Sequence, residues 1–257
     1  MIKLNIFNYR EEETIKNSMT KGKIPNELLK LVTEEEIMMF RELQIKIQEL
    51  NYKTNLTRLI EGDDYWISQV YDSLWIFKEN ANKNFNNQKF IDIGSGCGFP
   101  GFAYAITHPK SEIYLVDSSK KKTDSLKEII KSINFKNDIF VINDRIENIG
   151  RQSSFKNGFN IATARAVSNP STVSEYILPM LKSNGIGILY CGKWTNEDNK
   201  NLENTLNVLE GQILEIKSNF LPREKGIRNA IFIEPKASCP DIYPRSIGKA
   251  EKYPLKG

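Results

Sequence analysis

Apolar and polar side chains in the first third of the chain follow the spacing of helices. Apolar side chains recur there every three or four residues, which places them on one face of a helix. A capping box, TEEE at residues 33–36, predicts the start of a helix that reaches about Leu50. A second helical stretch is predicted over residues 63–77. We therefore expect residues 1–85 to form a helical N-terminal extension.

From Lys89 onward, short apolar and β-branched runs alternate with helical segments. This alternation is typical of a parallel sheet with crossover helices, in a domain that we expect to span residues 86–236. The predicted strands are KFIDIG, EIYLVD, DIFVIN, FNIATARAV and GIGILYCG, and the predicted helices lie near residues 101–107, 119–133 and 171–182. Two later runs, QILEIKSNF and NAIFIEP, are expected to pair as an antiparallel ribbon at the end of the sheet.

Two segments lack this periodicity. The asparagine-rich NANKNFNNQ, residues 80–88, is predicted to link the helical extension to the sheet. The last segment, residues 237–257, holds three prolines after Ser238 and several basic residues. We expect it to form an irregular basic tail that packs on the surface of the domain through its tyrosines.

Composition narrows the class of protein. The 257 residues are enough for one sizeable α/β core, and no apolar run is long enough to span a membrane. The start, MIKLNIFNYREEE, has the features of neither a signal peptide nor a transit peptide, so a soluble cytoplasmic protein without membrane contact is expected. Cys97, Cys191 and Cys239 are too far apart to indicate a disulfide framework or a zinc cluster, and no metal is expected. The net charge of +4 is compatible with a polyanionic partner, although ordinary surfaces also reach it.

The most informative motif is FIDIGSGCGFPG at residues 90–101, which coincides with the first predicted strand and the turn after it. In a doubly wound sheet this first strand-to-helix turn brings backbone close to a ligand. A dinucleotide fingerprint would need a third glycine where Phe99 stands, which disfavours a nicotinamide-dependent oxidoreductase. A triphosphate-binding loop does not fit either, because no lysine follows Gly101 to neutralise phosphate.

Two aspartates make S-adenosylmethionine the favoured ligand of this loop. Asp92 lies inside the first strand, where a carboxylate suits a cationic or amino-bearing ligand better than a pyrophosphate. The sulfonium and ammonium groups can lie against loop carbonyls near Gly94 and Gly96. Asp117 ends the second strand, where it can accept hydrogen bonds from the ribose hydroxyls.

Two later strand ends are expected to face the same pocket. After the third strand, Ile146 is expected to pack on the adenine ring, with Glu147 or Asp144 at the polar edge of the ring. Arg165 ends the fourth strand at the mouth of the pocket. It could bind a substrate phosphate or the cofactor carboxylate, and a structural ion pair explains it equally well.

These motifs together resemble one family. The shared segments are FIDIGSGCGFPG, YLVDSSKKK, DRIEN, TARAV, YPRSIGKAEKYPL, KTNLT and DSLW, and they extend over nearly the whole chain. They resemble the RsmG/GidB family, the bacterial 16S ribosomal RNA guanine-N7 methyltransferases. The resemblance implies an α/β, class I (Rossmann-like) S-adenosylmethionine-dependent methyltransferase sheet with a helical N-terminal extension. It also implies methylation of N7 of guanine 527 in the 530 loop of 16S rRNA.

The resemblance carries cofactor positions over to this chain. They fall on Gly94, Phe99, Ile146, Glu147 and Arg165. The chain departs from the family pattern at Gln69 and Asn229, where the family usually has histidines, and at Ile247, where it usually has a proline. Neither histidine can therefore be essential if this chain is active.

Guanine N7 carries a lone pair and no proton, so its methylation needs no general base. No catalytic residue is therefore predicted, and catalysis is expected to come from positioning. The single histidine, His108, is expected at the surface.

The implied partner is 16S rRNA or the 30S subunit, and the chain is expected to be a monomer. If they share one face, nine basic residues form a phosphate-binding surface: Lys120, Lys121, Lys122, Arg223, Lys225, Arg228, Arg245, Lys249 and Lys252. Two alternatives stay open from the residues alone. One is a methyltransferase for another RNA or a small molecule, and the other is a non-catalytic RNA factor that binds S-adenosylmethionine.

Overall fold

The computed structural model describes residues 23–78 and 85–255 of the chain. Residues 80–84 of the predicted linker and residues 1–22 of the predicted extension lie outside the described residues. The strands are β1 (Lys89–Ile93), β2 (Glu112–Val116), β3 (Ile139–Ile142), β4 (Phe159–Arg165), β5 (Leu181–Cys191), β6 (Gly211–Phe220) and β7 (Ile227–Pro235). The helices are α1 (Asn26–Leu29), α2 (Glu34–Thr54), α3 (Gly62–Tyr65), a π-helix (Trp66–Tyr71), α4 (Asp72–Lys78), α5 (Gly101–Thr107), α6 (Lys120–Ser132), α7 (Ile146–Ile149), α8 (Pro170–Ile177), a 3-10 turn (Leu178–Met180), α9 (Asn196–Val208) and α10 (Lys249–Lys252).

The strands of the described residues form one seven-stranded sheet in the order β3-β2-β1-β4-β5-β7-β6. Strands β1 to β5 are parallel, whereas β7 is antiparallel to both β5 and β6. The five predicted parallel strands and the predicted antiparallel ribbon are therefore confirmed. The strand order reverses between β1 and β4, and in sheets of this kind the ligand crevice lies at the carboxyl ends of those strands.

Helices cover both faces of the sheet because successive strand side chains alternate between two buried clusters. In β1, Phe90 packs in the first cluster and Ile91 in the second. The first cluster also contains side chains of α2, the π-helix, α5 and α6. The second contains side chains of α8, α9 and the C-terminal tail. The N-terminal helices and the tail therefore pack on opposite faces of the sheet.

The helix predicted from the capping box begins where expected. The Glu36 N–H donates to Thr33 Oγ1 at 3.2 Å, and the Thr33 N–H donates to Glu36 Oε2 at 2.7 Å. The helix continues past the predicted end at Leu50 to Thr54, and it is closed by Asn55 in the left-handed conformation. The last turn is mostly polar, so the apolar pattern did not include it.

The second predicted helical stretch contains a π-helix over Trp66–Tyr71. Apolar periodicity does not separate one π turn from α-helix, so the sequence pattern did not reveal it. Single π turns inside α-helices occur frequently at functional sites. This one carries Ser68 and Gln69 and is followed directly by Asp72 at the start of α4.

Two other helices differ from the sequence prediction. Helix α9 (Asn196–Val208) was not predicted, although Thr195 and Asp198 form a capping box at its start. The helix predicted over residues 171–182 ends at Ile177 and continues as a 3-10 turn that contains Pro179. Proline has no backbone N–H to extend the helical hydrogen-bond ladder.

The prediction that His108 lies at the surface is wrong. Its ring stacks on Tyr104 with centroids 4.2 Å apart, and Nδ1 lies 2.9 Å from Thr107 Oγ1. Phe77 contacts the same ring edge-on at 5.6 Å. The histidine is buried because it closes the end of α5 against this aromatic group.

The C-terminal tail packs on the second cluster but only partly as predicted. Tyr243 and Ala250 are buried, whereas Tyr253 is 58% exposed with Lys252 above its ring at 5.3 Å. The expected docking through tyrosines therefore applies to Tyr243 alone. The tail also contains the short helix α10, so it is not irregular throughout.

The cysteines are free thiols, Cys97 buried and the other two partly buried. Across residues 23–78 and 85–255, no group of three His, Cys, Asp or Glu side chains could hold a metal ion. Within the same ranges, no helix has the length and apolar character needed to cross a bilayer.

Candidate active site

The glycine-rich segment joins β1 to α5 at the reversal of the strand order. Gly94 and Gly98 have φ angles of +69° and +97°, in the left-handed region that favours glycine. A side chain at Gly98 would also collide with Phe102. Ser95 fastens the loop to β2, because its N–H donates to Val116 O at 2.9 Å and its Oγ accepts from Val116 N at 3.1 Å. The chain itself therefore fixes the path of this loop.

A first cavity of about 230 Å³ opens at the carboxyl edge of the sheet, and Gly94, Asp117, Asp144, Ile146, Tyr176 and Glu251 are among its walls. Asp117 Oδ2 accepts from Gly96 N at 2.9 Å, and Oδ1 accepts from Ser119 N at 2.8 Å. A carboxylate offers about four acceptor positions, so positions remain for hydroxyl donors in the cavity. These acceptor positions are compatible with ribose hydroxyls, and the contact of Asp117 with a ribose stays a prediction.

A second cavity of about 490 Å³ adjoins the first, and its walls include Gln69, Asp72, Gly96, Phe99, Arg165 and Arg228. Gly94, Lys122 and Ala166 line both cavities, so the two are neighbours, and together they form the crevice of the candidate site. Ala166 has a φ of +56°, an uncommon value for a residue with a side chain. Such strained residues concentrate at functional sites, and this one lies at the junction of the two cavities.

The structure separates the predicted site residues by cavity. They line the first cavity alone (Asp117 and Ile146), the second alone (Gly96, Phe99 and Arg165), both (Gly94) or neither (Asp92 and Glu147). The last two therefore need a different account from the one that the sequence suggested.

Asp92 is buried behind the loop, with 1% of its surface exposed. Its Oδ1 accepts from Thr163 Oγ1 at 2.9 Å, and its Oδ2 accepts from Gly101 N at 3.2 Å. Burial raises the pKa of Asp92 to about 6, against the opposing effect of the Thr163 and Gly101 hydrogen bonds. The position does not provide the expected direct contact with a cationic ligand, because the side chain is buried and lines neither cavity. Asp92 instead joins β1, β4 and the start of α5.

We expect the Asp92→Asn variant to have a different pH dependence of stability. A carboxyl with a raised native pKa stabilises the fold below its ordinary pKa of 3.8, and this contribution is lost as the pH rises through about 6. The shift is equivalent to about 3 kcal/mol. The free energy of unfolding of the wild type minus that of the variant should therefore fall by up to about 3 kcal/mol from pH 4 to pH 7 in urea titrations. A difference that is constant over this range would contradict the raised pKa.

Glu147 forms hydrogen bonds with the C-terminal tail and with neighbouring side chains, and it does not line either cavity. Its Oε1 lies 3.1 Å from Arg145 Nη2, 3.3 Å from Tyr176 Oη and 3.0 Å from the Gly248 N–H. Burial acts to raise the pKa of Glu147, but the Gly248 and Arg145 hydrogen bonds lower it overall. The Glu147 side chain therefore has its hydrogen-bond partners within the protein. Of the two acidic residues considered for the adenine edge, Asp144 is the one that lines the cavity.

The tail forms part of the wall of the first cavity. Arg245 binds the buried carboxylate of Glu175 through Nε at 2.9 Å and Nη2 at 2.6 Å, and its backbone N–H donates to the same group at 2.8 Å. Farther along, Thr172 Oγ1 donates to Ala250 O at 3.1 Å. These anchors bring the next residue, Glu251, to the cavity.

Arg165 forms the ion pair that the sequence left open as an alternative to ligand binding. Its Nη1 lies 3.4 Å from Asp72 Oδ2 and 3.2 Å from Ser68 O, and its Nη2 donates to Gln69 Oε1. The same side chain lines the second cavity. The structural ion pair is present, and a contact with ligand stays a prediction.

Sequence reasoning missed several walls of the crevice: Ser68, Gln69, Asp72, Tyr190 and Arg228 in the second cavity and Glu251 in the first. The π-helix carries Ser68 and Gln69, and Asp72 follows it as the first residue of α4. Asp72 belongs to the DSLW segment that was noted, yet its meeting with Arg228, 3.4 Å from Oδ2 to Nε, has no sequence signal.

The basic residues considered for an RNA surface do not all remain available. Five are paired with acidic side chains: Lys120 with Asp124, Arg223 with Asp63, Lys225 with Asp64, Arg228 with Asp72 and Arg245 with Glu175. The Arg245 pair lies deepest, since Glu175 is fully buried. Lys122 lines both cavities, and Lys249 and Lys252 lie on α10 beside Glu251.

Comparisons with known proteins identify related chains. A family model described as GidB, rRNA small subunit methyltransferase G, matches residues 36–225. A relative from Prochlorococcus marinus subsp. pastoris (strain CCMP1986 / NIES-2087 / MED4), called Ribosomal RNA small subunit methyltransferase G, is 93% identical over 239 residues, which are 93% of this chain and 100% of the relative. A relative of the same name from Prochlorococcus marinus (strain NATL1A) is 44% identical over 230 residues, 90% of this chain and 93% of the relative.

Among solved structures, MtNAS in complex with MTA and tNA has a similar fold. The TM-score is 0.51 at 13% sequence identity, and the similar region covers 78% of this chain and 71% of that chain. At this identity the likeness supports the fold alone.

The family match and the sheet order lead to one conclusion. The predicted class I methyltransferase fold is confirmed, and so is S-adenosylmethionine as the cofactor, with a ribose-compatible carboxylate at the end of β2. Because the family model spans most of the chain and a near-identical relative is covered from end to end, the chain belongs to the GidB family, rRNA small subunit methyltransferase G, and is an S-adenosylmethionine-dependent methyltransferase.

Proposed function

We propose that this enzyme transfers the methyl group of S-adenosylmethionine to N7 of guanine 527 in the 530 loop of 16S rRNA. The observation that carries the proposal is the pair of neighbouring cavities that share Gly94, Lys122 and Ala166 in their walls. A crevice of this kind can bind a nucleoside cofactor at one end and an acceptor base at the other. The family to which the chain belongs supports small-subunit rRNA as the acceptor.

The adenosine part of the cofactor fits the first cavity. Asp117 would accept from the ribose hydroxyls, Ile146 would pack on the adenine ring, and Asp144 would accept from its amino group. The glycine loop, with Gly94 and Gly96, would border the methionine part. Arg165 has the charge to bind its carboxylate at the entrance to the second cavity.

The second cavity would hold the acceptor guanine. Bound S-adenosylmethionine would supply a sulfonium methyl group to the lone pair of N7. The electron pair of the broken bond between sulfur and the methyl carbon would stay on sulfur. No proton leaves N7, so no residue has to act as a base, and none of the described residues lining the crevice is a histidine. The enzyme contributes by orienting the base, an effect worth roughly 7–11 kcal/mol in the best-oriented reactions.

The rRNA backbone would bind outside the crevice. Lys122 lies at the junction of the cavities, and Lys249 and Lys252 are exposed on α10. These ammonium groups can neutralise phosphates, so binding should weaken as salt is raised. A monomer acting in the cytoplasm, on 16S rRNA or on the 30S subunit, is part of the proposal.

The test is to map the methyl group. Purified enzyme is incubated with tritiated S-adenosylmethionine and either naked 16S rRNA or small subunits from a strain that lacks the activity. The RNA is then cleaved chemically at N7-methylguanine. Label at one guanine of the 530 loop is the expected result, and the better substrate of the two identifies the assembly state that the enzyme recognises.

Two results would contradict the proposal. Label at a different atom or a different RNA would assign the enzyme another acceptor. If neither substrate is labelled although the protein binds the cofactor, a non-catalytic factor or a small-molecule methyltransferase would be favoured.

A further inference from the structure

A carboxylate in the wall of the second cavity has one oxygen without a protein partner. Asp72 is 3% exposed, and its Oδ2 lies 3.4 Å from both Arg165 Nη1 and Arg228 Nε. Its Oδ1 is buried and has no hydrogen-bond partner among the described residues. In residues 23–78 and 85–255, no other buried unpartnered side-chain atom belongs to a residue that lines the crevice.

A buried carboxylate oxygen without a donor is costly, and folded proteins rarely keep one without a reason. Asp72 is also held firmly, because two guanidinium groups bind its other oxygen. It follows the π-helix, and that turn helps to bring this part of the chain to the cavity. We infer that Oδ1 is reserved for a donor that arrives with a ligand.

The groups around Asp72 complement one edge of guanine. Arg165 also binds Ser68 and Gln69, whereas Arg228 is half-buried and binds Ile227 O at 3.0 Å besides Asp72. The wall therefore presents a carboxylate acceptor beside a partly exposed guanidinium donor. The Watson–Crick edge of guanine presents complementary groups, namely the O6 acceptor and the N1–H and 2-amino donors.

We propose that Asp72 selects guanine in the second cavity by accepting a hydrogen bond from its 2-amino group, while Arg228 donates to O6. This inference rests on the proposed function. The 2-amino group lies on the far side of the purine from N7, so this contact leaves N7 free to face the glycine loop. Adenine lacks the 2-amino group and carries a donor where guanine has O6, so it cannot make either bond.

The test compares two RNAs and three enzymes. Small subunits are reconstituted with 16S rRNA that carries guanine or inosine at the target position, because inosine lacks only the 2-amino group. The enzymes are the wild type, Asp72→Asn and the control Asp64→Asn. Asp64 pairs with Lys225 at 2.7 Å, is about half exposed and does not line the crevice. The measured quantity is the ratio of kcat/KM for guanine to that for inosine.

The wild type and the control should both prefer guanine by roughly tenfold or more, because a site built to bind a donor rejects the analogue that lacks it. In Asp72→Asn the ratio should fall to within about threefold of unity, because the side-chain amide turns its oxygen to the arginines and no longer offers a charged acceptor to the base. A general loss of activity from a disturbed fold would lower both rates and leave the ratio unchanged.

An unchanged ratio in Asp72→Asn would overturn the inference. If the Asp72→Asn variant does not unfold cooperatively, the comparison of guanine with inosine in the wild-type enzyme tests the inference by itself. Equal kcat/KM values for the two RNAs would overturn the inference. Failure of the wild type to methylate guanine would contradict the proposed function, whereas guanine methylation without this preference would contradict the inference alone.

Discussion

Replacement of Asp117 with asparagine is expected to lower the affinity for S-adenosylmethionine roughly a hundredfold. The carboxylate is bound by the N–H groups of Gly96 and Ser119 at 2.9 and 2.8 Å, which orient it at the first cavity. Hydrogen bonds to a charged group contribute about 1.5–3 kcal/mol each. Loss of the charge that accepts from the ribose hydroxyls should therefore cost about 3 kcal/mol, and every 1.4 kcal/mol is about tenfold in affinity. Isothermal titration calorimetry measures the change directly.

Asp124→Asn is the matched control for this variant. Asp124 pairs with Lys120 at 2.9 Å on the exposed side of the next helix, and such surface pairs contribute about 0–1 kcal/mol. Its affinity for the cofactor should stay at the wild-type value. If Asp117→Asn binds S-adenosylmethionine within about threefold of the wild type, Asp117 is not the ribose ligand.

Replacement of Arg245 with methionine should lower the free energy of unfolding by about 3 kcal/mol. Methionine keeps the apolar stem but leaves the Glu175 carboxylate, 1% exposed, without its main partner. Cofactor affinity should fall as well, because the tail that Arg245 anchors carries Glu251 to the first cavity. Urea unfolding and calorimetry would measure the two effects on the same preparation.

Two further variants test whether the loss of stability in Arg245→Met comes from the buried charge of Glu175. Lys156→Met breaks another pair between the tail and the domain, but its partner Asp241 is 95% exposed, so a much smaller loss of stability than in Arg245→Met is expected. Adding Glu175→Gln to Arg245→Met should recover part of the stability, because no buried charge is then left unpaired. Equal losses in Arg245→Met and Lys156→Met would show that burial of Glu175 is not the cause.

Several elements were predictable because their signals are local. Short apolar and β-branched runs between helical segments mark β1 to β5, and the capping box marks the start of α2. The glycine loop and Asp117 follow two strands of a parallel sheet, so their neighbouring positions at its carboxyl edge follow from the strand assignment alone.

Other features were not predicted because they depend on the direction in which a side chain points, and not on its position along the chain. Asp92 and Glu147 lie close to the site along the chain, yet one side chain binds Thr163 inside the sheet and the other binds the tail. A sequence pattern shows that a residue is near a strand end, but it does not show which way the carboxylate faces. The π turn has the same limitation, since its apolar pattern matches that of an α-helix.

From the sequence alone came the succession of the seven strands, the glycine-rich turn, the place of Asp117 at the end of β2 and the resemblance to one methyltransferase family. All of these depend on residues that are close together along the chain. The meeting of Asp72 with Arg165 and Arg228, and the part that the tail takes in the wall of the first cavity, became visible only in the folded chain. These groups come from segments that are far apart in sequence, and burial of both sheet faces is what brings them together.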